Sequence, residues 1–405
     1  MIVQVKQNLK PEKDKNLLWK LRTGAEWVLN QQIAPFWTSM RDDNFGGYYG
    51  RKDFNLQIYP QADKGVILNS RILYFFSELA RLSGNVKYIT EAEHAYDFLM
   101  QYCFDRDAGG VFWSVTYDGN PADTTKHTYN QAFAVYALSS YYALTKNQNA
   151  LNTAMKLFRL IEEKCFDGNG YLEAFDRNWR PVRNEKLSEN NVIAYRTMNT
   201  LLHIFEAYSN LYAQNHAQVI STAMLKILYI YRDKIYNPIR KRQEVFFDEN
   251  YHSLIDLHSF GHDIESSWLI DEGCQLLGES GIVQDVRAIN QALGAQIYQT
   301  AYQQDSVCNE CENGRTDTDR IWWVQAESVI GFVNMWQKTH DLKYLQAAEH
   351  IWQYIQEYLV DTRPESEWFW GVDENGTPLS DRDVSDEWKC PYHNGRMCFE
   401  LIRRS

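Results

Sequence analysis

Gly109-Gly110-Val111-Phe112-Trp113, followed by Tyr129-Asn130-Gln131-Ala132-Phe133-Ala134-Val135-Tyr136-Ala137-Leu138, is one instance of a two-part phrase that the chain repeats six times. The first part is a Gly- or aromatic-rich turn. The second is a helix that is apolar nearly all round except for an isolated polar residue near its middle. The other turns read Gly46-Gly47-Tyr48-Tyr49, Gly170-Tyr171-Leu172-Glu173, Val245-Phe246-Phe247, Cys308-Asn309-Glu310 and Trp368-Phe369-Trp370. The polar residues are Arg71, Gln131, Asn199, Glu265, Glu327 and Asn394, spaced by 60 to 68 residues. Self-similarity at such a period marks a repeat architecture. It predicts an all-α fold, an (α/α)6 barrel or α-toroid of six helical hairpins with short β-ribbons at one mouth. The six polar residues would then point at one shared cavity.

Apolar residues at i, i+3, i+4 and i+7 spacing predict outer helices over 19–37, 88–103, 150–165, 217–235, 284–302 and 344–359. Inner helices, apolar on all sides as helices walled in by neighbours must be, are predicted over 65–82, 129–144, 194–213, 264–277, 322–339 and 394–404. Short connections such as Ser83-Gly84-Asn85 and Lys146-Asn147-Gln148 favour antiparallel neighbours. No linker, low-complexity tract or charge run interrupts the repeat, so residues 1–405 read as a single domain.

The formal net charge of −12 disfavours nucleic acid and anionic membrane, which both require a basic patch. The opening residues 1–15 are polar and have no apolar core of a signal peptide. No stretch approaches the roughly 18 apolar residues of a membrane span. Seven scattered cysteines read as reduced thiols of a cytoplasmic protein, and Cys308-x-x-Cys311 has no second pair at zinc-ribbon spacing. The 13 Trp and 26 Tyr suit a thick core, and they also suit a sugar site, because the C–H face of a pyranose packs on aromatic rings.

Histidine is scarce, at ten residues. His262 and Glu265 are three apart and share one helix face, where a carboxylate can fix an imidazole's tautomer and raise its basicity. Asn199 and His203 are four apart on an otherwise apolar helix. His393 lies in Trp388-Lys389-Cys390-Pro391-Tyr392-His393-Asn394-Gly395-Arg396, with Pro391 suited to a first helical turn. Arg71 sits within Val66-Ile67-Leu68-Asn69-Ser70-Arg71-Ile72-Leu73-Tyr74, where it needs either a carboxylate partner or a ligand. Tyr129, Trp322, Trp323 and Trp388 supply aromatic lining. No P-loop, G-x-G-x-x-G after a strand, G-x-S-x-G or H-E-x-x-H motif occurs. Three histidines and an arginine around one cavity point to proton transfer on a neutral polyol.

The runs Lys64-Gly65-Val66-Ile67-Leu68-Asn69-Ser70-Arg71-Ile72-Leu73, Arg320-Ile321-Trp322-Trp323-Val324-Gln325-Ala326-Glu327 and Trp388-Lys389-Cys390-Pro391-Tyr392-His393-Asn394-Gly395-Arg396-Met397 resemble the cellobiose 2-epimerases of the N-acylglucosamine 2-epimerase superfamily. The likeness runs over 36–403. It implies an (α/α)6 barrel without metal or organic cofactor that epimerises the reducing-end glucose of cellobiose, and of lactose and related β-1,4 disaccharides, to mannose. By the resemblance His262 and His393 are the acid/base pair and His203 is a third cavity histidine. Arg71 is the essential arginine, and Glu265 supports the first histidine. Tyr129, Asn199, Trp322, Trp323, Glu327 and Trp388 hold the disaccharide. One departure stands at Leu201, where relatives carry histidine.

The implied reaction opens the ring and removes the C2 proton to give a cis-enediolate stabilised by Arg71 and His203. It then reprotonates the opposite face, with the two histidines on opposite walls. The expected partner is a small disaccharide, and the expected state a monomer. Two readings compete: a monosaccharide epimerase or isomerase of the same superfamily, and an (α/α)6 glycoside hydrolase using Glu265 and Glu327. A sugar-binding protein without activity is a third, weaker one.

Overall fold

In the computed structural model, which describes residues 12–187 and 190–405, the repeats fold into twelve helices in strict alternation. The first, α1, runs from Glu12–Val28 through a π-helical turn, Leu29–Ile33, into Ala34–Ser39. The inner helices are α2 (Val66–Ser83), α4 (Thr128–Thr145), α6 (Met198–Asn215), α8 (Phe260–Leu277), α10 (Trp322–Thr339) and α12 (His393–Arg404). The outer partners are α3 (Val86–Phe98), α5 (Gln148–Leu160), α7 (Gln218–Ile230), α9 (Gly281–Thr300) and α11 (Leu342–Tyr354), with α1 as the sixth. The stretch 1–15 read as leaderless lies outside the described residues as far as residue 11.

Each inner helix packs on the next, α2 to α4 and so on to α12, and α12 returns to α2, so the ring closes. The hairpin that completes it joins α12 to α1, from opposite ends of the sequence. Gly395 makes that approach possible: a Cβ there would lie 2.6 Å from the Phe75 ring on α2. Fully buried Glu367 fastens the seam, accepting from Trp37 Nε1 of α1 at 2.9 Å, Asn394 Nδ2 of α12 at 2.8 Å and Lys389 Nζ at 2.5 Å. Within hairpins the inner helix stops at a left-handed residue: Gly84 (φ 67), Lys146 (φ 58), His216 (φ 54) and His340 (φ 57). The short ribbons are two- or three-stranded and antiparallel, and they lie in the long returns from outer to inner helices.

A second repeat underlies the first. Lys64, Lys126, Arg196, His258 and Arg320 each stand two residues before an inner helix, and Lys389 four before the sixth; all are buried. Lys64 meets Asp42 (2.7 Å), Lys126 meets Asp105 (3.0 Å), Arg196 meets Asp167, His258 meets Asp263 (2.8 Å) and Lys389 meets Glu367 (2.5 Å); Arg320 Nε donates to Ser306 Oγ (2.8 Å). Asp42, Asp105 and Asp167 also accept backbone N–H groups of their own turns, which locks turn and ribbon to the start of the inner helix. Among the described residues no helix is long and apolar enough to cross a membrane, and all seven cysteines are free thiols, Cys308 and Cys311 among them.

Candidate active site

The N-terminal ends of the inner helices open on a cavity of about 440 Å³. Arg71, Tyr129, Asn199, His203, His262, Glu265, Trp322, Trp323, Trp388 and His393 all border it, so ten of the residues singled out from sequence converge. Three of the six periodic polar markers do not reach it. Gln131 clasps the backbone of Val111, its Oε1 accepting from N at 2.7 Å and its Nε2 donating to O at 2.8 Å. Asn394 is spent on Glu367. Glu327 is fully buried behind His393. The repeat therefore marks a position on each helix, and only some of its side chains face the lumen.

Two of the expected roles are corrected. Glu327 does not touch the cavity and so does not hold sugar. Its Oε1 lies 2.7 Å from His393 Nδ1 and accepts from Arg396 Nη2 at 2.7 Å, and its Oε2 accepts from Trp268 Nε1 at 2.9 Å. Glu265 does not support His262. The His262 Nδ1 lies 2.7 Å from Ser259 Oγ, while Glu265 Oε1 accepts from Arg396 Nη2 at 2.6 Å. The i, i+3 spacing puts both residues on one face of α8, but Ser259 takes the His262 Nδ1 and Arg396 takes Glu265 Oε1.

His262, in the first turn of α8, and His393, the first residue of α12, stand on either side of Trp323 on α10, with ring centroids 4.8 and 5.5 Å from the indole. They are two inner helices apart rather than on opposite walls. Gly261 lets Trp323 wedge in, since a Cβ there would sit 2.4 Å from the indole. Both imidazoles hold Nδ1 against a partner, which turns Nε2 toward the lumen; the Glu327 carboxylate makes His393 Nδ1 the donor, whereas the Ser259 hydroxyl suits either tautomer of His262. Burial drives both toward neutrality. The His262 pKa is lowered to about 3, with His203 adding to the effect, and His393 falls well below its ordinary value with help from Arg396 and Arg71.

Beneath these residues lies a charged floor that sequence reasoning missed. Arg396 donates to Glu206 Oε1 (2.5 Å), Glu265 Oε1 (2.6 Å), Glu327 Oε1 (2.7 Å) and the Tyr392 hydroxyl. Tyr392 donates to Glu206 Oε2 (2.5 Å), which also lies 2.8 Å from His203 Nδ1. Burial pushes Glu265 up to about 7, and the neighbouring Glu327 adds to it. Glu206 goes the other way: burial would raise it, but Arg396, His203 and Tyr392 bring it down to about 2. Among the described residues, Glu265, Glu327 and His393 form the one group with ligand atoms close enough to hold a metal, within 4.8 Å of one another. Arg396 Nη2 already bonds both carboxylates, taking the place a cation would need.

Among the described residues Arg71 has no carboxylate partner. It donates to the Tyr129 hydroxyl at 2.6 Å and the Trp388 carbonyl at 3.5 Å, and its guanidinium lies 4.2 Å from the Phe133 centroid and 4.6 Å from that of Tyr392. Four polar atoms on cavity residues have no hydrogen-bond partner among the described residues: Arg71 Nε, Asn199 Oδ1, Glu265 Oε2 and Trp322 Nε1. Unpaired buried polar atoms are costly, and gathered around one cavity they describe the hydroxyl pattern of a ligand. The outer cavity is aromatic and charged, with Trp370 4.5 Å from Trp322 and capped by Arg382 at 5.3 Å. Leu201 points into the core and touches none of this.

The chain is similar to known proteins along most of its length. The family model described as N-acylglucosamine 2-epimerase (GlcNAc 2-epimerase) matches residues 46–394. A cellobiose 2-epimerase of Eubacterium cellulosolvens is 48% identical over 394 residues, covering 93% of this chain and 96% of that one. Among solved structures, a sugar epimerase from a ruminal bacterium superposes with a TM-score of 0.94 at 42% identity, covering 95% of this chain and 99% of its own. The cellobiose 2-epimerase of Bacillus thermoamylovorans gives 0.92 at 41%, covering 96% and 100%.

Proposed function

The chain belongs to the N-acylglucosamine 2-epimerase family, and on that premise we propose that it epimerises C2 of the reducing-end glucose of cellobiose, with His393 and His262 as its two proton carriers. The observation that carries this is the pair of Nδ1-anchored imidazoles flanking Trp323 and facing one cavity.

Only the open-chain aldehyde has an acidic C2 proton, so the first step moves the anomeric hydroxyl proton to the ring oxygen. His393 then takes the C2 proton on Nε2, and Glu327 across the ring stabilises the imidazolium that forms. Charge grows on the C1 and C2 oxygens, where Arg71 and Tyr129 donate. His262 delivers a proton to the other face. Ser259 suits that alternation, since its hydroxyl can either donate to Nδ1 or accept from it. Three carboxylates share the single guanidinium of Arg396 in the buried cluster, so ionising them all leaves an excess of negative charge. Glu265, which burial and the neighbouring Glu327 push up to about 7, is the carboxyl of the three that holds a proton. Unperturbed imidazole titrates at about 6.5, and the negative charge of the enediolate draws protons onto both rings.

Trp388, Trp322 and Trp370 pack against sugar faces, lending remote binding energy to the opened ring. Asn199 Oδ1 accepts from one sugar hydroxyl and Trp322 Nε1 donates to another. The hydrolase alternative loses support because Glu327 is walled off behind His393 and cannot flank a glycosidic bond. Reaction without metal or organic cofactor is supported by Arg396 filling the carboxylate cluster, a cytoplasmic setting by the free thiols, and action as a single-domain monomer by a cavity that one closed ring completes.

The test is incubation with cellobiose in D2O followed by NMR. Glucosyl-mannose deuterated at C2 is the expected product. Free glucose would transfer the protein to the hydrolases, and unchanged cellobiose with turnover of N-acetylglucosamine or mannose would move it to another branch of the family.

A further inference from the structure

A second cavity, of about 330 Å³, opens at the other mouth of the barrel. Tyr74, Tyr136, Ser140, Ser209, Asn210 and Glu272 are among its lining, and its inner end is formed by Glu206, Arg396 and Trp268. These last three belong to the charged floor under the sugar site. Glu206 therefore stands between two spaces. Its Oε2 lies 2.8 Å from the Nδ1 of His203, which borders the sugar cavity, and the residue itself lines the reverse one. The reverse cavity is far larger than the roughly 10–15 Å³ a water needs, and it is ringed by polar partners, so it takes up water.

We propose that His203 and Glu206 form a proton relay through the floor, by which the sugar site exchanges protons with bulk water at the reverse mouth while a disaccharide fills the front one. A proton taken from C2 passes from the imidazolium N–H to an enediolate oxygen. That O–H then breaks as His203 Nε2–H forms. The His203 Nδ1–H passes to Glu206 Oε2, and Glu206 releases its proton to water in the reverse cavity. No electron pair is gained or lost overall, and the relay runs equally in reverse. Because Arg396 and Tyr392 hold Glu206 as a carboxylate, its protonated form is transient, as a conducting station requires.

The relay rests on the epimerase reading, and the experiment separates the two. Protiated cellobiose is turned over in D2O at saturating sugar, and at low conversion two quantities are read by NMR: C2 deuterium in recovered cellobiose and epimer formed. Their ratio reports how often the abstracted proton escapes before the intermediate collapses. Ala213→Trp and Leu276→Trp each place an indole in the reverse mouth at partly exposed positions outside the sugar site. Both are expected to lower the ratio at least threefold while changing kcat less than twofold. Glu206→Gln is expected to lower the ratio as well. An unchanged ratio in both plugged proteins overturns the relay whatever Glu206→Gln does. Absence of epimer from the unmodified protein would instead overturn the underlying function.

Discussion

Replacing Glu327 by Gln tests the reassignment of this residue from sugar ligand to partner of His393. The carboxylate has three donors around it: His393 Nδ1 and Arg396 Nη2 on Oε1, and Trp268 Nε1 on Oε2. A glutamine oxygen placed at Oε1 keeps the first two, but its NH2 then faces the indole N–H, and the charge is gone. A hydrogen bond to a charged group contributes about 1.5–3 kcal/mol, which at 1.36 kcal/mol per decade predicts a fall in kcat of roughly 10–150-fold. Stability should fall by about 1–3 kcal/mol, because the buried Trp268 N–H loses its acceptor, while Arg396 retains Glu206 and Glu265. KM should stay put, since the side chain touches no sugar. The acidic limb of the pH profile should move to lower pH, because an anion that favoured His393 imidazolium is lost. Steady-state kinetics on cellobiose across pH, with a thermal melt alongside, reads all four quantities. A kcat within about threefold of the parent, or a large rise in KM at constant kcat, would refute the reasoning.

His393→Ala and His262→Ala should each abolish epimerisation while the melting transition persists, as checked by NMR of cellobiose turnover and by circular dichroism. Arg71→Lys should lower kcat by about 10²–10³-fold, because Lys cannot reproduce the fork that reaches Tyr129 and Trp388; undiminished turnover would remove Arg71 from enediolate stabilisation. Glu265 keeps its proton in the fold up to about pH 7 but loses it near 4.5 when unfolded, so its share of stability is full below pH 4.5 and is lost as pH rises to 7. Across that window the parent should lose about 3 kcal/mol more than Glu265→Gln, measured by urea unfolding. Lys389→Met leaves fully buried Glu367 without its cation and should cost about 3–5 kcal/mol in the same assay.

The ring was legible in the sequence because each inner helix is apolar all round and each turn carries its Gly or aromatic signal. The ten residues that line the cavity were legible because they are polar or aromatic points on helix ends that share one mouth. The floor was harder. Glu206, Tyr392 and Arg396 look like ordinary polar residues along a helix, and their meaning comes from three carboxylates on different helices sharing one guanidinium. Glu265 was misassigned for the same reason: spacing shows which face a side chain takes and says nothing of a stronger competitor across the lumen. The basic residues that precede the inner helices, from Lys64 to Lys389, did leave a periodic signal, two positions ahead of five of the six helices. It is hidden by chemical variation, with Lys, Arg and His filling one structural role.

Closure of the barrel by α1 and α12 has a consequence in time. At about 5–20 residues per second of synthesis, roughly 20–80 s separate the emergence of α1 from that of α12. Throughout that interval α1 has no hairpin partner, and the site lacks His393, Arg396 and half of its seam. Five hairpins stack as they emerge, each on its predecessor, but contacts of the longest sequence separation come last. Catalytic competence thus waits on the emergence of α12. A ribosome-bound chain that stops short of α12 exposes the apolar flank of α1 and performs no chemistry, so quality control can recognise it by its surface before it could ever alter a sugar.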